Sequence, residues 1–345
     1  MLDDLKYIHQ RDGQDALGIA ERQWQQLQHN FDVRGSTLEV RDGIENIVFA
    51  GMGGSALAAL VSVSWPSHKI PFEICRQYHI PAYVSPKTLF IASSYSGNTE
   101  ETIEALSEAE AKGAQIVVVS HGGKLQEIAQ AKKYAFVLIP DAIQPRYSVL
   151  YGLKALVTIL CSAGLLEEQL PAELTQASNF LKNEVKNWVA TVPTKDNPAK
   201  NLAEELAGKS IVIYAGPLLA PAAYKWKINF NENAKNLAWW NQYSEFNHNE
   251  MIGWASHPIQ KIYGVVDLRS NLEHPKIQKR FEVTEKLLSG RRPAPNVVQV
   301  QGDTLLEQLL WAIAYGDFVS VYLALLNGVN PAPVELVEKF KTELK

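Results

Sequence analysis

A cluster of hydroxyl side chains is the first feature of this sequence that could do chemistry. Within seven residues stand four hydroxyls and one glycine: Ser93, Ser94, Ser96, Thr99 and Gly97. An apolar run at 88–92 precedes them and a helical pattern follows, which predicts a strand, a turn and a helix start. The free N–H groups and partial positive charge of a helix start favour anions. The stretch therefore predicts an anion site, most naturally for phosphate.

Ordinary helix capping is the alternative for this stretch, because serine and threonine are common N-cap residues. One cap needs one hydroxyl, so four hydroxyls around a glycine favour phosphate binding. A second glycine-rich loop, 51–55, follows an apolar run at 47–50. Its glycines do not fit the dinucleotide fingerprint G-x-G-x-x-G, and no P-loop lysine follows. We interpret it as a loop whose backbone approaches a ligand, with Ser55 adding a further hydroxyl.

Groups suited to acid–base chemistry are concentrated in two later stretches, 229–235 and 246–250. Asparagines bracket the carboxylate of Glu232 and the imidazole of His248 there. Such bracketing could fix side-chain orientation and tautomer, which general acid–base groups require. An exposed loop with helix caps is the alternative, and the spacing alone leaves both open.

Short apolar runs that alternate with helical patterns predict the elements carrying these residues. Five such runs come first: 47–50, 72–75, 88–92, 115–120 and 135–139. They predict an α/β protein with a doubly wound parallel sheet, whose ligand loops follow the carboxyl ends of the strands.

A second, similar series follows a proline-containing linker region at 191–198. Its predicted strands and the helices near the C-terminus are 210–214, 263–268, 297–300, 305–326 and 335–345. We therefore predict two domains, residues 1–190 with a helical lead-in and residues 200–345.

Composition limits the function classes. The 345 residues are 46% hydrophobic and 20% charged, as expected of a globular protein. A net charge of −4 without a long basic run argues against nucleic acid as a partner. The N-terminus does not resemble a signal peptide, and we expect no apolar run of membrane-spanning length, hence no membrane association and a cytoplasmic location.

Metal and cofactor sites are not expected. Cys75 and Cys161 have no metal-type spacing and are too few for a disulfide framework. The remaining histidines make no H-E-x-x-H pattern and are interpreted as surface or structural residues: His9, His29, His68, His79, His121, His257 and His274.

The motifs together resemble a known family. The segments 51–55 and 94–102 are similar to the phosphosugar-binding signature of sugar isomerase (SIS) domains. Segments 231–235 and 247–250 resemble one branch, the bifunctional phosphoglucose/phosphomannose isomerases, and the likeness spans nearly the whole chain. It implies two flavodoxin-like SIS domains with a C-terminal helix. It also implies interconversion of glucose 6-phosphate, mannose 6-phosphate or both with fructose 6-phosphate.

The resemblance implies a role for each motif residue. Glu232 would move a proton between C1 and C2 through a cis-enediol, and Arg146 would stabilise the enediolate, with a surface salt bridge as its alternative. His248 and Lys341 would open the sugar ring, with Lys339 and Lys345 as alternatives to Lys341. The phosphate would be bound by Gly54, Ser55, Ser94, Ser96 and Thr99.

A homodimer with shared active sites is also implied, in which His248 reaches the neighbour's site. The helix at 305–326 and Trp239–Trp240 could supply the interface, but a buried core explains them equally well. The competing function is a non-catalytic SIS module that binds a sugar phosphate and regulates a partner. Glu232 and His248 argue against it. An amidotransferase isomerase domain would need an attached glutamine-hydrolysing domain. The preference between glucose and mannose stays open.

Overall fold

The chain forms two compact units. The computed structural model describes residues 1–35, 43–255 and 262–344. The first unit is Gln23–Asn179, and the second unit combines Met1–Arg22 with Phe180–Lys345. Among the described residues, the α-helices are α1 (Leu5–Arg11), α2 (Ala16–Arg22), α3 (Gly54–Ser64), α4 (Glu100–Ala111), α5 (Gly123–Lys132), α6 (Val149–Ser162), α7 (Leu170–Glu184), α8 (Pro198–Leu206), α9 (Ala220–Glu232), α10 (Glu250–Gly253), α11 (Pro275–Leu287), α12 (Leu305–Leu326) and α13 (Glu335–Glu343).

Each unit is built on one parallel sheet. The strands are β1 (Asn46–Ala50), β2 (Phe72–Cys75), β3 (Thr88–Ser94), β4 (Gln115–Ser120), β5 (Ala135–Leu138), β6 (Ser210–Ala215), β7 (Ala238–Gln242), β8 (Tyr263–Arg269) and β9 (Asn296–Gln299). Their order is β2-β1-β3-β4-β5 in the first unit and β7-β6-β8-β9 in the second. The first is the flavodoxin-like order. The predicted α/β class with two parallel sheets is confirmed.

Strand β7 is the one described strand that the sequence analysis did not predict. It pairs in parallel with β6, from Ala238 opposite Ile211 onward. Its residues are Ala-Trp-Trp-Asn-Gln, and Trp239 is 48% exposed. The apolar run is too short to indicate a buried strand, and the polar residues after it resemble a loop.

The first sheet is covered on both faces, which explains its continuous apolar strands. Every residue of β3 is buried. Ile47 and Phe49 contribute to the core on one face, and Val48 and Ala50 to the core on the other. Alternate residues of a strand point to opposite faces, so each core receives every second side chain. Each large apolar side chain buried there contributes roughly 1.5–3 kcal/mol.

Helix α12 is the core of the second unit. It has 22 residues and is, by length and overall composition, long and apolar enough to cross a membrane, so the expectation that no apolar run reaches that length is wrong. However, 94% of its most apolar window is buried inside the protein. Thr304 and Glu307 form a capping box at its start. Because the helix is apolar all round and buried, core packing explains its composition.

The predicted helical lead-in is present as α1, α2 and a short 3-10 helix, Gln23–Gln28. The first two helices belong to the second unit: Tyr7 donates its hydroxyl hydrogen to the Leu325 carbonyl at 2.7 Å, and Lys200 pairs with Asp3 at 3.1 Å. The functional domains at 1–190 and 200–345 stay a prediction.

Candidate functional site

The hydroxyl cluster lies at the carboxyl end of β3. Ser93 and Ser94 are the last two residues of the strand, two residues beyond the predicted end, and Ser96 and Thr99 follow in the turn. The Ser94 hydroxyl lies 2.7 Å from that of Thr99 and 3.4 Å from that of Ser96. Thr99 occupies the N-cap position of α4, yet its side chain makes no capping hydrogen bond to the helix. Its hydroxyl therefore points toward Ser94, and the first N–H groups of α4 keep their capacity for an anion. This arrangement favours the anion site over simple capping.

Gly97 permits the close approach of two loops. It has a φ of +69°, and a Cβ at this position would stand 1.8 Å from the Gly122 carbonyl oxygen. The Leu125 N–H donates to the Gly97 carbonyl at 2.9 Å, and the His121 N–H to the Tyr95 carbonyl at 3.0 Å. Only glycine fits both the left-handed backbone and the contact. The turn after β3 is thereby fixed against the loop after β4.

The glycine-rich loop after β1 meets the same cluster. The Ser55 hydroxyl accepts the Tyr95 N–H at 2.9 Å, which ties the start of α3 to the turn after β3. Gly54 lies so close to Arg146 that a Cβ on Gly54 would stand 2.8 Å from the backbone nitrogen of Arg146. The first unit thus gathers the ends of β1, β3 and β5 at one edge, where the predicted phosphate residues and Arg146 lie.

Arg146 is deeply buried in the first unit. It belongs to a 3-10 helix, Pro145–Tyr147, and only 1% of it is exposed. Its guanidinium lies over the Tyr147 ring, 4.9 Å from the ring centre. A surface salt bridge, the alternative for this residue, does not fit such burial. A buried guanidinium is costly unless it has partners.

Tyr95 is a contributor that the sequence analysis did not identify. Its ring stacks on His121 with centres 5.2 Å apart, and its hydroxyl donates to the Ala142 carbonyl at 2.8 Å. Burial raises the pKa of Tyr95 to about 12, so the phenol is neutral. The sequence signal for Tyr95 was its position between Ser94 and Ser96, inside the serine motif. In the structure its ring packs on the loop after the neighbouring strand β4.

Glu232 is the last residue of α9 in the second unit. The helix is held against α12 by a buried polar seam: Lys225 pairs with Asp317, and Asn229 donates to the Asp317 carboxylate at 2.6 Å. One turn further, Asn233 donates to the Ser320 hydroxyl at 2.9 Å. These contacts fix the rotation and register of α9, and therefore the place where Glu232 leaves it.

The asparagines around Glu232 hold the backbone of the helix end. Asn231 donates to the Asn236 carbonyl at 2.9 Å, and Asn236 donates to the Lys209 carbonyl at 2.9 Å. Glu232 itself is half-buried. These asparagines thus hold the backbone that carries the Glu232 carboxylate, in addition to any contact that they make with the carboxylate itself.

His248 is the last residue of a 3-10 helix, Glu245–His248, and it is exposed. Its neighbours are anchored inward on both sides. Asn247 donates to the Thr284 hydroxyl at 2.9 Å, and Glu250 accepts from the Asn241 amide at 2.7 Å and from the Tyr214 hydroxyl. His248 is therefore an exposed residue on a segment that is anchored on both sides.

Lys341 lies on α13, of which no residue is buried. It is exposed and pairs with Glu338 at 2.8 Å. Lys339 is exposed on the same helix, whereas Lys345 and His257 lie outside the described residues. Within the described ranges, no three His, Cys, Asp or Glu side chains are grouped as metal ligands.

The comparisons with known proteins define the class first. The family model for SIS domains matches residues 43–162, and the model for bacterial phospho-glucose isomerase C-terminal SIS domains matches residues 195–344. A glucose-6-phosphate isomerase like protein from Thermus thermophilus has the same fold, with a TM-score of 0.64 and 22% identity over 98% of both chains. The chain is therefore a two-domain SIS protein.

The curated relatives give the particular family. The bifunctional phosphoglucose/phosphomannose isomerase of Caldicellulosiruptor bescii is 34% identical, covering 93% of this chain and 96% of that protein. The enzyme of the same name from Thermoplasma volcanium is 36% identical, covering 87% and 91%. The chain belongs to the bifunctional phosphoglucose/phosphomannose isomerase family and is an isomerase. A non-catalytic regulatory module is not favoured.

Proposed function

We propose that this aldose–ketose isomerase interconverts glucose 6-phosphate and mannose 6-phosphate with fructose 6-phosphate. The observation that carries the proposal is the placement of Glu232. This half-buried carboxylate stands at the end of a helix whose neighbouring polar side chains hold the backbone in one position. A base that serves two adjacent carbons needs such fixed placement.

The first unit binds the phosphate in this proposal. The hydroxyls of Ser55, Ser94, Ser96 and Thr99 donate to the phosphate oxygens, and the backbone at Gly54 approaches the ligand. The supporting observation is the hydroxyl cluster at the uncapped start of α4. Hydrogen bonds to a charged group are worth about 1.5–3 kcal/mol each.

Glu232 transfers the proton. In the aldose-to-ketose direction, its carboxylate removes the proton from C2 of the open-chain sugar, and the electron pair moves toward the carbonyl to give a cis-enediolate. The hydroxyl proton on O2 then moves to O1, and the same carboxylate returns the carbon-bound proton to C1, which leaves the carbonyl at C2. Arg146 stabilises the negative oxygen of the intermediate. A positioned general base contributes about 10²- to 10⁴-fold to the rate.

His248 and Lys341 assist ring opening by moving the proton between the ring oxygen and the C1 hydroxyl. We propose a homodimer in which His248 acts in the neighbouring subunit's site. The exposure of His248 and of Trp239 supports this, since both side chains are accessible on the second unit. We further propose that the enzyme works in the cytoplasm, because hexose 6-phosphates are charged and do not cross membranes. A net charge of −4 supports the absence of a nucleic-acid partner.

The test is a coupled assay of fructose 6-phosphate formation from each aldose separately, with and without a chelator. Wild type should convert both sugars in either condition. Glu232→Gln should lower kcat by about 10³-fold. Glu204→Gln is the matched control, because Glu204 is an exposed carboxylate on α8 with no proposed role, and it should leave kcat unchanged.

Three outcomes would change the proposal. Turnover of only one aldose would restrict the proposed substrates to that sugar and leave the proposed mechanism unchanged. Loss of activity with the chelator would contradict a metal-free reaction. Tight binding of a sugar phosphate with no turnover of either aldose would make the regulatory module the better account.

A further inference from the structure

Lys235 makes an unusual set of contacts at the end of α9. Its ammonium donates to the backbone carbonyls of Glu232 at 2.9 Å and Asn233 at 3.3 Å. It also donates to the carbonyls of Asn330 at 2.7 Å and Pro331 at 3.4 Å. Its own backbone is left-handed, with a φ of +52°. The side chain therefore folds back over the helix end and reaches a second segment.

Capping of α9 does not require the contacts of Lys235 with the Asn330 and Pro331 carbonyls. A lysine near a helix C-terminus commonly interacts with the last carbonyls of its own helix. Lys209 illustrates this ordinary arrangement. Among the described residues, its ammonium donates only to the Glu205 carbonyl, at 2.5 Å, near the end of α8. Lys235 in addition contacts residues 330 and 331, close before α13, the helix that carries Lys341.

A second contact joins the same two segments. Asn327, directly after α12, donates to the Ala234 carbonyl at 3.0 Å. The peptide after Glu232 is therefore fixed to the segment 327–331 at two points, by the Asn327 amide and by the Lys235 ammonium. The backbone carbonyl of the proposed base is itself one of the groups that Lys235 contacts.

We propose that Lys235 is a positioning residue for Glu232. The inference rests on the proposed function and deepens it: the ammonium fixes the end of α9 against the segment that leads to α13, and so sets the reach of the carboxylate. Lysine suits this role because a compact ammonium on a flexible stem offers three donors, which the four carbonyls share. A displacement of about 1 Å in a reacting group can cost about 10²-fold in rate.

Substitution of Lys235 by methionine keeps most of the stem and removes the donors. Lys235→Met should lower kcat about 10- to 100-fold while KM changes less than about threefold, because the phosphate residues are unaltered. Lys209→Met is the matched control: it removes the ammonium contact with the Glu205 carbonyl on α8, a helix that carries no proposed catalytic residue. It keeps the Lys209 backbone carbonyl, which accepts from Asn236. It should cost similar thermal stability and leave kcat unchanged. Lys235→Arg, which keeps the charge and several donors, should recover part of kcat.

Hydrogen exchange provides a readout that does not depend on activity. Lys235→Met should speed amide exchange in both 229–236 and 327–333, whereas Lys209→Met should leave both segments as in wild type. Unchanged exchange in 327–333, or a kcat equal to that of wild type, would overturn the inference. If wild type converts neither sugar, the proposed function fails, and the exchange result still decides whether Lys235 joins the two segments.

Discussion

The two sheets share one strand order over four strands: β7, β6, β8 and β9 correspond to β2, β1, β3 and β4. The central pair in this comparison is β6 with β8, which corresponds to β1 with β3. In the first unit the loops after this strand pair meet through the Ser55 hydroxyl and the Tyr95 N–H. In the second unit the same pair of loops meets through a carboxylate. Glu273, after β8, accepts the Leu218 N–H after β6 at 2.8 Å.

The Glu273 carboxylate closely fills the space beside Gly216 and Leu218, which we call the cradle of the second unit. Glu273 is only 4% exposed, and a Cβ on Gly216 would stand 2.2 Å from its carboxylate oxygen. The first unit has hydroxyls and glycines at the equivalent edge, and therefore offers donors to an external anion. The second unit satisfies its N–H groups with its own carboxylate. In the proposed function, the fold provides an anion cradle twice, and side-chain chemistry decides that the first is open to a ligand while the second is filled.

The largest expected effect comes from closing the open cradle. Gly97→Ala combines a left-handed backbone with a Cβ 1.8 Å from the Gly122 carbonyl oxygen, so the turn after β3 must shift. We expect kcat/KM to fall by at least about 10²-fold. Gly164→Ala is the control, since Gly164 has a φ of +67° with open space around it. It should cost about 1 kcal/mol of stability and no activity. Equal activity of the two variants would contradict the role of the turn.

An intermediate effect is expected from opening the filled cradle. Glu273→Ala leaves the Leu218 N–H without its acceptor and should lower the free energy of unfolding by about 1–3 kcal/mol. Inorganic phosphate should raise the Tm of this variant more than that of wild type, because an external anion can replace the carboxylate. Thermal unfolding with and without phosphate measures this. Equal Tm shifts in both proteins would show that the second cradle takes no anion.

The smallest effects are opposite pH responses of the two units. Burial lowers the pKa of His68, in the first unit, to about 4, so its folded form binds fewer protons than the unfolded chain. Wild type should therefore lose Tm relative to His68→Gln as the pH falls from about 6.5 to about 4. Burial raises the pKa of Glu273 above its usual 4.5, although the N–H groups of Leu218 and Leu219 oppose the shift.

For Glu273 the sign reverses, because the folded state holds the proton more tightly than the unfolded chain. Wild type should lose Tm relative to Glu273→Gln as the pH rises above about 4.5. Thermal melts of both variants across pH 4–7 check the two trends. A flat difference for either variant would mean that its group titrates in the folded protein as it does in the unfolded chain. Trends in the same direction would mean that one of the two pKa shifts has the opposite sign.

The sequence predicted the parts of this comparison that depend on local pattern. Continuous apolar runs indicated β1, β3 and β4, and the hydroxyl motif predicted the phosphate site that the proposed function assigns to the first unit. Glu273 could not be predicted, because its acceptor role depends on an N–H 55 residues earlier in the chain. The contacts of Lys235 with Asn330 and Pro331 are likewise made by folding. Motif residues were found from the sequence, whereas the residues that hold them needed the three-dimensional structure.

The most direct measurement is calorimetric titration of fructose 6-phosphate into Glu232→Gln, in which we expect turnover to be about 10³-fold slower than in wild type. The account predicts one ligand per chain, with affinity reduced by about 10²-fold or more when Gly97→Ala is added and unchanged when Glu273→Gln is added. Two ligands per chain, or an affinity unaffected by Gly97→Ala, would contradict the assignment of phosphate binding to the first unit.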